Sequence, residues 1–102
     1  DFNKLQKINL QLGNAKVSAV KINEKLTLTP VKSVFNSLGW KMTEDYGVFK
    51  LTHRDKTITL PVGARKITIG KQQITTPLPI IYDGKEIWVE KNSLQKTYDS
   101  VK

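Results

Sequence analysis

The sequence predicts an α+β domain, a mainly antiparallel sheet of short strands packed against two short helices at about residues 30–38 and 91–99. Apolar residues alternate with polar ones in short runs, and Gly, Asn or Asp turn signals separate those runs. Two segments break the rhythm: residues 28–40 and 88–99 each feed an extended run straight into an amphipathic helix, as a duplicated strand–helix unit would. The composition, 38% hydrophobic and 25% charged over 102 residues, suits one hydrophobic core and is too small for two.

Residues 7–12 read as a strand, with Ile8, Leu10 and Leu12 on one face and Gly13-Asn14 as its turn. A second run, 16–22, ends at Asn23-Glu24, and residues 25–29 return as its hairpin partner. Pro30 then occupies a first helical position behind Thr29 as N-cap; Val31, Val34, Phe35 and Leu38 follow at helical spacing, and Gly39 ends the helix. Trp40 and Met42 lead into a strand that turns at residues 44–47. Residues 48–53 and 57–62 form a hairpin about Arg54-Asp55-Lys56, its return strand setting Ile58, Leu60 and Val62 against Thr57, Thr59 and Pro61. A turn at Gly63-Ala64-Arg65, a strand at 66–69, a turn at Gly70-Lys71 and a strand at 72–75 come next. Pro77 and Pro79 keep the following segment out of a sheet interior, so it runs at an edge or crosses the domain. Residues 80–82 and 85–89 close a last hairpin on Asp83-Gly84, and the second helix places Leu94 and Tyr98 four apart.

Seventeen basic residues against nine acidic give a net charge of +8, and the whole surplus lies before Gln72. Fifteen of the seventeen are lysine, a hydrated point charge suited to diffuse attraction toward polyanions rather than to reading base edges. Without cysteine, disulfides and thiolate metal sites are excluded. No apolar run is long enough to span a membrane as a helix. The start at Asp1 reads as a processed or recombinant fragment whose signal peptide has been removed.

Catalytic chemistry finds few groups to work with. His53 is the sole imidazole and reads as an exposed strand residue; no acid joins it at a metal-ligand spacing. Glu44 and Asp45 are neighbours in a turn and point apart, and Gly63 and Gly70 are isolated turn glycines with no phosphate-cradling loop between them. The expectation is a module with no enzymatic activity, no metal and no cofactor.

The run Thr29-Pro30-Val31-Lys32-Ser33-Val34-Phe35-Asn36-Ser37-Leu38-Gly39 resembles the signature of the copper amine oxidase-like N-terminal domain, or stalk domain. Pro30, Val31, Val34, Leu38 and Gly39 match its pattern, while Lys32 stands for the usual Arg and Thr29 for Val. Residues 56–63 are similar to the family's strand before a turn glycine, and residues 67–72 with 76–85 to its later hairpins. The second helix departs from the pattern, with Glu90, Asn92 and Asp99 where Pro, Arg and Gly are usual. The resemblance covers most of residues 16–99 and implies a single non-catalytic stalk domain over residues 1–102, cut from a larger protein. It also implies a secreted or surface-attached protein of Gram-positive bacteria.

Three functions follow as expectations. The first is a spacer or binding module for anionic wall polymers, peptidoglycan or teichoic acid, with Lys50, Arg54, Lys56, Arg65, Lys66 and Lys71 as candidate contacts. The second is self-association or capture of a protein partner by strand pairing or an aromatic patch around Trp40 or Trp88. The third is nucleic-acid binding, which the scarcity of Arg disfavours and for which Tyr46 and Phe49 are the nearby stacking candidates; core packing is the competing role for Phe49.

Overall fold

A computed structural model of the chain describes residues 6–13 and 15–101. They form two five-stranded antiparallel sheets and two helices. Strands β1 (Gln6–Leu12), β2 (Ala15–Lys21) and β3 (Thr27–Pro30) precede α1 (Val31–Ser37). Then come β4 (Lys41–Asp45), β5 (Val48–His53), β6 (Lys56–Pro61), β7 (Lys66–Ile69), β8 (Gln72–Thr75), β9 (Ile81–Tyr82), β10 (Ile87–Glu90) and α2 (Lys91–Val101). The first sheet has the order β1-β2-β3-β10-β9; the second is a sequential meander, β4-β5-β6-β7-β8. The expected α+β architecture is therefore present, as two sheets.

Alternation decides what each sheet buries. In the meander Phe49, Leu51, Ile58, Leu60, Ile67 and Ile74 point inward, and Leu12, Val17, Ile87 and Val89 do so from the first sheet. Val31, Val34 and Phe35 of α1 and Leu94 and Val101 of α2 complete the same cluster, so one core takes side chains from both sheets and both helices. Phe49, expected in the core, is buried there and meets Tyr82 of β9 across the sheets, ring centroids 4.9 Å apart. Trp40 is buried too, edge-on to Phe35 at 5.2 Å.

Residues 76–80 carry no strand and cross between the sheets, as their prolines require. Hydrogen bonds to the β6–β7 connection hold the crossing: Gly63 N–H donates to the Ile80 carbonyl, Ile80 N–H to the Ala64 carbonyl and Thr76 N–H to the Arg65 carbonyl, each at 2.8–2.9 Å. Several sequence expectations shift. Val62 leaves its strand and is 38% exposed in the turn, because β6 ends at Pro61. The 16–22 and 25–29 runs pair only at Val20–Leu28 and Lys21–Thr27; β2 spends its length on β1 instead. Asn14 lies outside the described residues.

The two strand–helix units lie side by side. β3 and β10 pair antiparallel, Pro30 opposite Trp88, Thr29 opposite Val89 and Leu28 opposite Glu90, so the two helices leave from opposite ends of the pair. That register sets how each helix is capped. Pro30 is the N-cap of α1 rather than its first residue, and it offers no side-chain bond; Thr29, the expected cap, donates its hydroxyl to the Val89 carbonyl at 2.7 Å. The α1 N-terminus sits beside the start of β10, and Glu86 caps it from there. The Glu86 carboxylate accepts from Lys32 N–H (2.7 Å), Ser33 N–H (3.2 Å) and the Ser33 hydroxyl (2.7 Å). At α2 the cap is local: Glu90, 3% exposed, accepts from Asn92 N–H, Ser93 N–H and the Ser93 hydroxyl at 2.8–3.0 Å. The departure from the family pattern at Glu90 is thus a working cap. At the other end of α1 Gly39, φ 87°, takes the left-handed position, with Trp40 N–H on the Phe35 carbonyl and Gly39 N–H on the Asn36 carbonyl.

Candidate binding surface

The face of the meander opposite the core is a lattice of threonine and lysine. Register places Thr43, Lys50, Thr59, Thr68 and Gln73 in one row across all five strands, and Lys41, Thr52 and Thr57 in the next. Lys66 and Thr75 pair on β7 and β8 one step beyond the first row. These side chains are exposed or half-exposed. β-Branched threonine suits a strand whose outer face meets water, since its methyl shields the backbone while its hydroxyl stays hydrated. The result is a sheet face whose side chains repeat about every 4.8 Å across strands and about 7 Å along them.

Lys41, Lys50 and Lys66 rise from this face, against Asp45 at its β4 corner. Lattice geometry puts Lys41 about 8 Å from Lys50, and Lys50 about 12 Å from Lys66. Those spacings are comparable with the screening length at physiological salt, so the three potentials reinforce one another.

The six residues expected from sequence divide among three places. Lys50 and Lys66 lie on the threonine face itself. Arg65 stands in the β6–β7 connection beside Lys66, at the end of the sheet that also carries the β4–β5 turn. Arg54, Lys56 and Lys71 gather at the opposite end, in the β5–β6 and β7–β8 turns. Lys56 is already engaged: its ammonium donates to the Val101 carbonyl at 2.7 Å, at the helix end where the macrodipole is negative. Arg54 holds a left-handed backbone, φ 58°. Lys41, which was not among the six, belongs with Lys50, because the β4–β5 register places both on the threonine face.

His53 is half-buried rather than exposed, its ring 5.4 Å from that of Trp40 and tilted by 31°. Glu44 accepts from Gly47 N–H at 3.0 Å, a turn role, while its neighbour Asp45 lies on the opposite face. Tyr46, at the tip of the β4–β5 turn, is 98% exposed. Among the described residues no three His, Asp or Glu side chains converge as metal ligands, and no helix is long and apolar enough to cross a membrane.

Among known proteins, the model of one family, described as the copper amine oxidase N-terminal domain, matches residues 7–99. Neither the curated proteins nor the solved structures give a significant match. In the oxidases that give the family its name, this domain is a non-catalytic one. The match runs from within β1 to within α2, including the departures at Glu90, Asn92 and Asp99, and the chain belongs to the copper amine oxidase N-terminal domain family.

Proposed function

We propose that the chain is a non-catalytic, extracellular module of a larger surface protein, and that the outer face of the meander holds anionic wall polymers such as teichoic acid or peptidoglycan. One observation carries this reading: Lys41, Lys50 and Lys66 project from a threonine-rich sheet face in which Asp45 is the opposing charge. An extended polyanion needs little shape complementarity. It needs repeated positive charge, hydroxyl donors between the charges, and an uncluttered surface along which to lie. Arg65 at one end of the sheet, with Arg54 and Lys71 at the other, extends the positive potential beyond the strands. Family membership supports the non-catalytic part of the reading.

The test is sedimentation with purified Gram-positive walls before and after teichoic acid is stripped. Binding is expected to weaken with added salt and with stripping. The triple variant Lys41→Gln, Lys50→Gln and Lys66→Gln is expected to lose about tenfold or more, each exposed charge contributing roughly 0.5 kcal/mol. Binding that ignores salt, or that survives the triple substitution, overturns the assignment of this face. Single-stranded DNA and a light-scattering mass serve as comparison arms for the nucleic-acid and self-association alternatives.

A further inference from the structure

β4 is the outermost strand of the meander and, among the described residues, pairs with β5 alone. Lys41, Thr43, Glu44 and Asp45 are exposed on it, and Met42 is half-buried against the core. Its outward backbone N–H and C=O groups have no partner among the described residues, which makes the strand a template for a further one. Natural edges are often blocked by several lysines or by a proline. β4 has no proline, and its charges have opposite signs at its two ends: Lys41 opens the strand and Asp45 closes it.

That order is self-complementary. Antiparallel pairing of two β4 strands about a twofold axis at Thr43 sets Lys41 of one protomer opposite Asp45 of its partner, at both ends at once, and Met42 opposite Glu44. Directly opposed side chains stand about 5 Å apart at Cβ. Neither Lys41 nor Asp45 has an ion pair in its own chain among the described residues, and the Glu44 carboxylate stays turned to Gly47 N–H. Other registers spoil the match. Centring on Glu44 puts two carboxylates face to face, and centring on Met42 leaves Asp45 beyond the end of the partner strand. A shift of one residue sets core-facing side chains against the threonine face.

Tyr46 supplies an independent observation. It is 98% exposed and forms with Gly47 a two-residue turn in which both φ are positive, 51° and 79°. Asparagine or glycine holds the first of these positions at less cost, and the phenol ring gains nothing there from burial. The twofold at Thr43 carries Tyr46 of each protomer to the level of Trp40 of the other. Beside Trp40 lies a depression of about 270 Å³ lined by Gly39, Lys41, Thr52, His53 and Arg54. Gly39 keeps it open, since a Cβ there would meet only His53 Cε1, at 4.0 Å.

We infer that β4 is a homodimer edge, at which two copies of the chain pair antiparallel about Thr43, with Lys41 of each on Asp45 of the other and Tyr46 of each in the depression at Gly39 of the other. The two meanders become one ten-stranded sheet, and the row through Lys50, Thr59 and Thr68 continues across Thr43 into the same row of the partner. Lys41 then neutralises Asp45, while Lys50 and Lys66 of both protomers keep the joined face positive. The inference needs only the groups of β4 and its turn, and it does not rest on polymer binding. The occupant is a second copy rather than a foreign strand, because the complement to Lys41 and Asp45 is the same strand reversed. So short a contact lies below the standard interface of about 1,600 Å², and association at about 10–500 µM is expected.

The experiment is sedimentation equilibrium of the chain from about 5 µM to about 1 mM. The mass is expected to rise from the monomer value toward twice that value, less steeply with added salt. Lys41→Glu and Asp45→Lys, each alone, set like charges opposite each other and are expected to weaken association about tenfold or more. An equimolar mixture of the two variants is expected to associate again, because every opposed pair in the mixed dimer is a cation with a carboxylate. Loss through misfolding would not recover on mixing. Tyr46→Ala is expected to weaken association about threefold or more. The chain has no cysteine, so Thr43→Cys is expected to give a disulfide-linked dimer on mild oxidation, and Thr59→Cys, two strands inward, to give none. A monomer mass at every concentration, a dimer that both charge variants leave intact, or a mixture no heavier than its components overturns the inference.

Discussion

Replacing Glu86 by Ala removes the cap of α1 without touching the core. Four bonds disappear, those from Lys32 N–H, Ser33 N–H and the Ser33 hydroxyl of α1 and that from Ile87 N–H of β10. Bonds to a charged acceptor are worth about 1.5–3 kcal/mol each when fully shielded. Glu86 is only half-buried, so water replaces part of what is lost, and measured cap deletions cost about 0.5–2 kcal/mol. The upper part of that range applies because one carboxylate satisfies three donors of α1 besides Ile87 N–H, giving roughly 1.5–2 kcal/mol. For a domain of this size that lowers Tm by roughly 6–16 °C. Urea unfolding followed by far-UV circular dichroism reads it as a lower midpoint at constant slope. Ser33→Ala alone should cost about 0.5–1 kcal/mol, and the double variant should cost less than the two single losses together, because both act on one interaction. Additive effects, or a loss below about 0.3 kcal/mol for Glu86→Ala, would show that the contact adds nothing to stability and that α1 is held by its buried face alone.

Glu90→Pro restores the residue usual in the family pattern, and it should nonetheless destabilise by about 1–2 kcal/mol, since it deletes the α2 cap; thermal unfolding checks this, and an unchanged Tm would contradict it. Gly13 has φ 59°, and an added Cβ would collide with the Tyr98 ring and its hydroxyl oxygen. Gly13→Ala should therefore cost about 2–4 kcal/mol. The same change at Gly47, φ 79° with open space around it, should cost only about 1–2 kcal/mol. Equal losses in urea titration would remove the steric part of the argument, and a Tyr98→Ala background should shrink the Gly13 penalty toward that of Gly47. Asp83 titrates below its ordinary value of 3.8, so its folded-state pKa lies under the unfolded one. Its contribution is present above the unfolded value and lost as pH falls through the folded one. Asp83→Asn should flatten stability over that acid window, and an unchanged acid limb would dissociate the carboxylate from Trp88.

The strands were legible because each buries one face, and a period of two survives in the order of residues. Ile58 and Leu60 against Thr57 and Thr59 needed no tertiary information. The helix ends were legible at Gly39, whose φ only glycine adopts freely, and illegible at the N-termini. Glu86 reaches α1 from 53 residues downstream in the chain, and no local pattern connects it with Ser33. Glu90 read as a departure because a family pattern records which residue is usual, whereas capping asks only for an oxygen in the right place. The basic surface was half legible. Counting charge along the chain found Lys50 and Lys66, but it also gathered Lys56, which serves α2, and it missed Lys41 and the threonines, which come together only through the register of five strands.

The position of the Glu86 cap also bears on how the two sheets stay together. The whole meander, β4 to β8, is inserted between the two strand–helix units; the chain leaves the first sheet through α1 and returns through residues 76–80. Buried apolar residues alone would join the halves, but apolar contact is not directional and tolerates sliding. The directional bonds sit at the two crossings. Glu86 ties the exit helix back to the start of β10, and the Gly63, Ala64 and Ile80 bonds tie the returning segment to the β6–β7 connection. Both fasteners lie at the rims of the sheets and use backbone groups. The outward face of the meander, threonine and lysine, thereby stays clear of the work of holding the fold, and substitutions on it can be read as effects on binding.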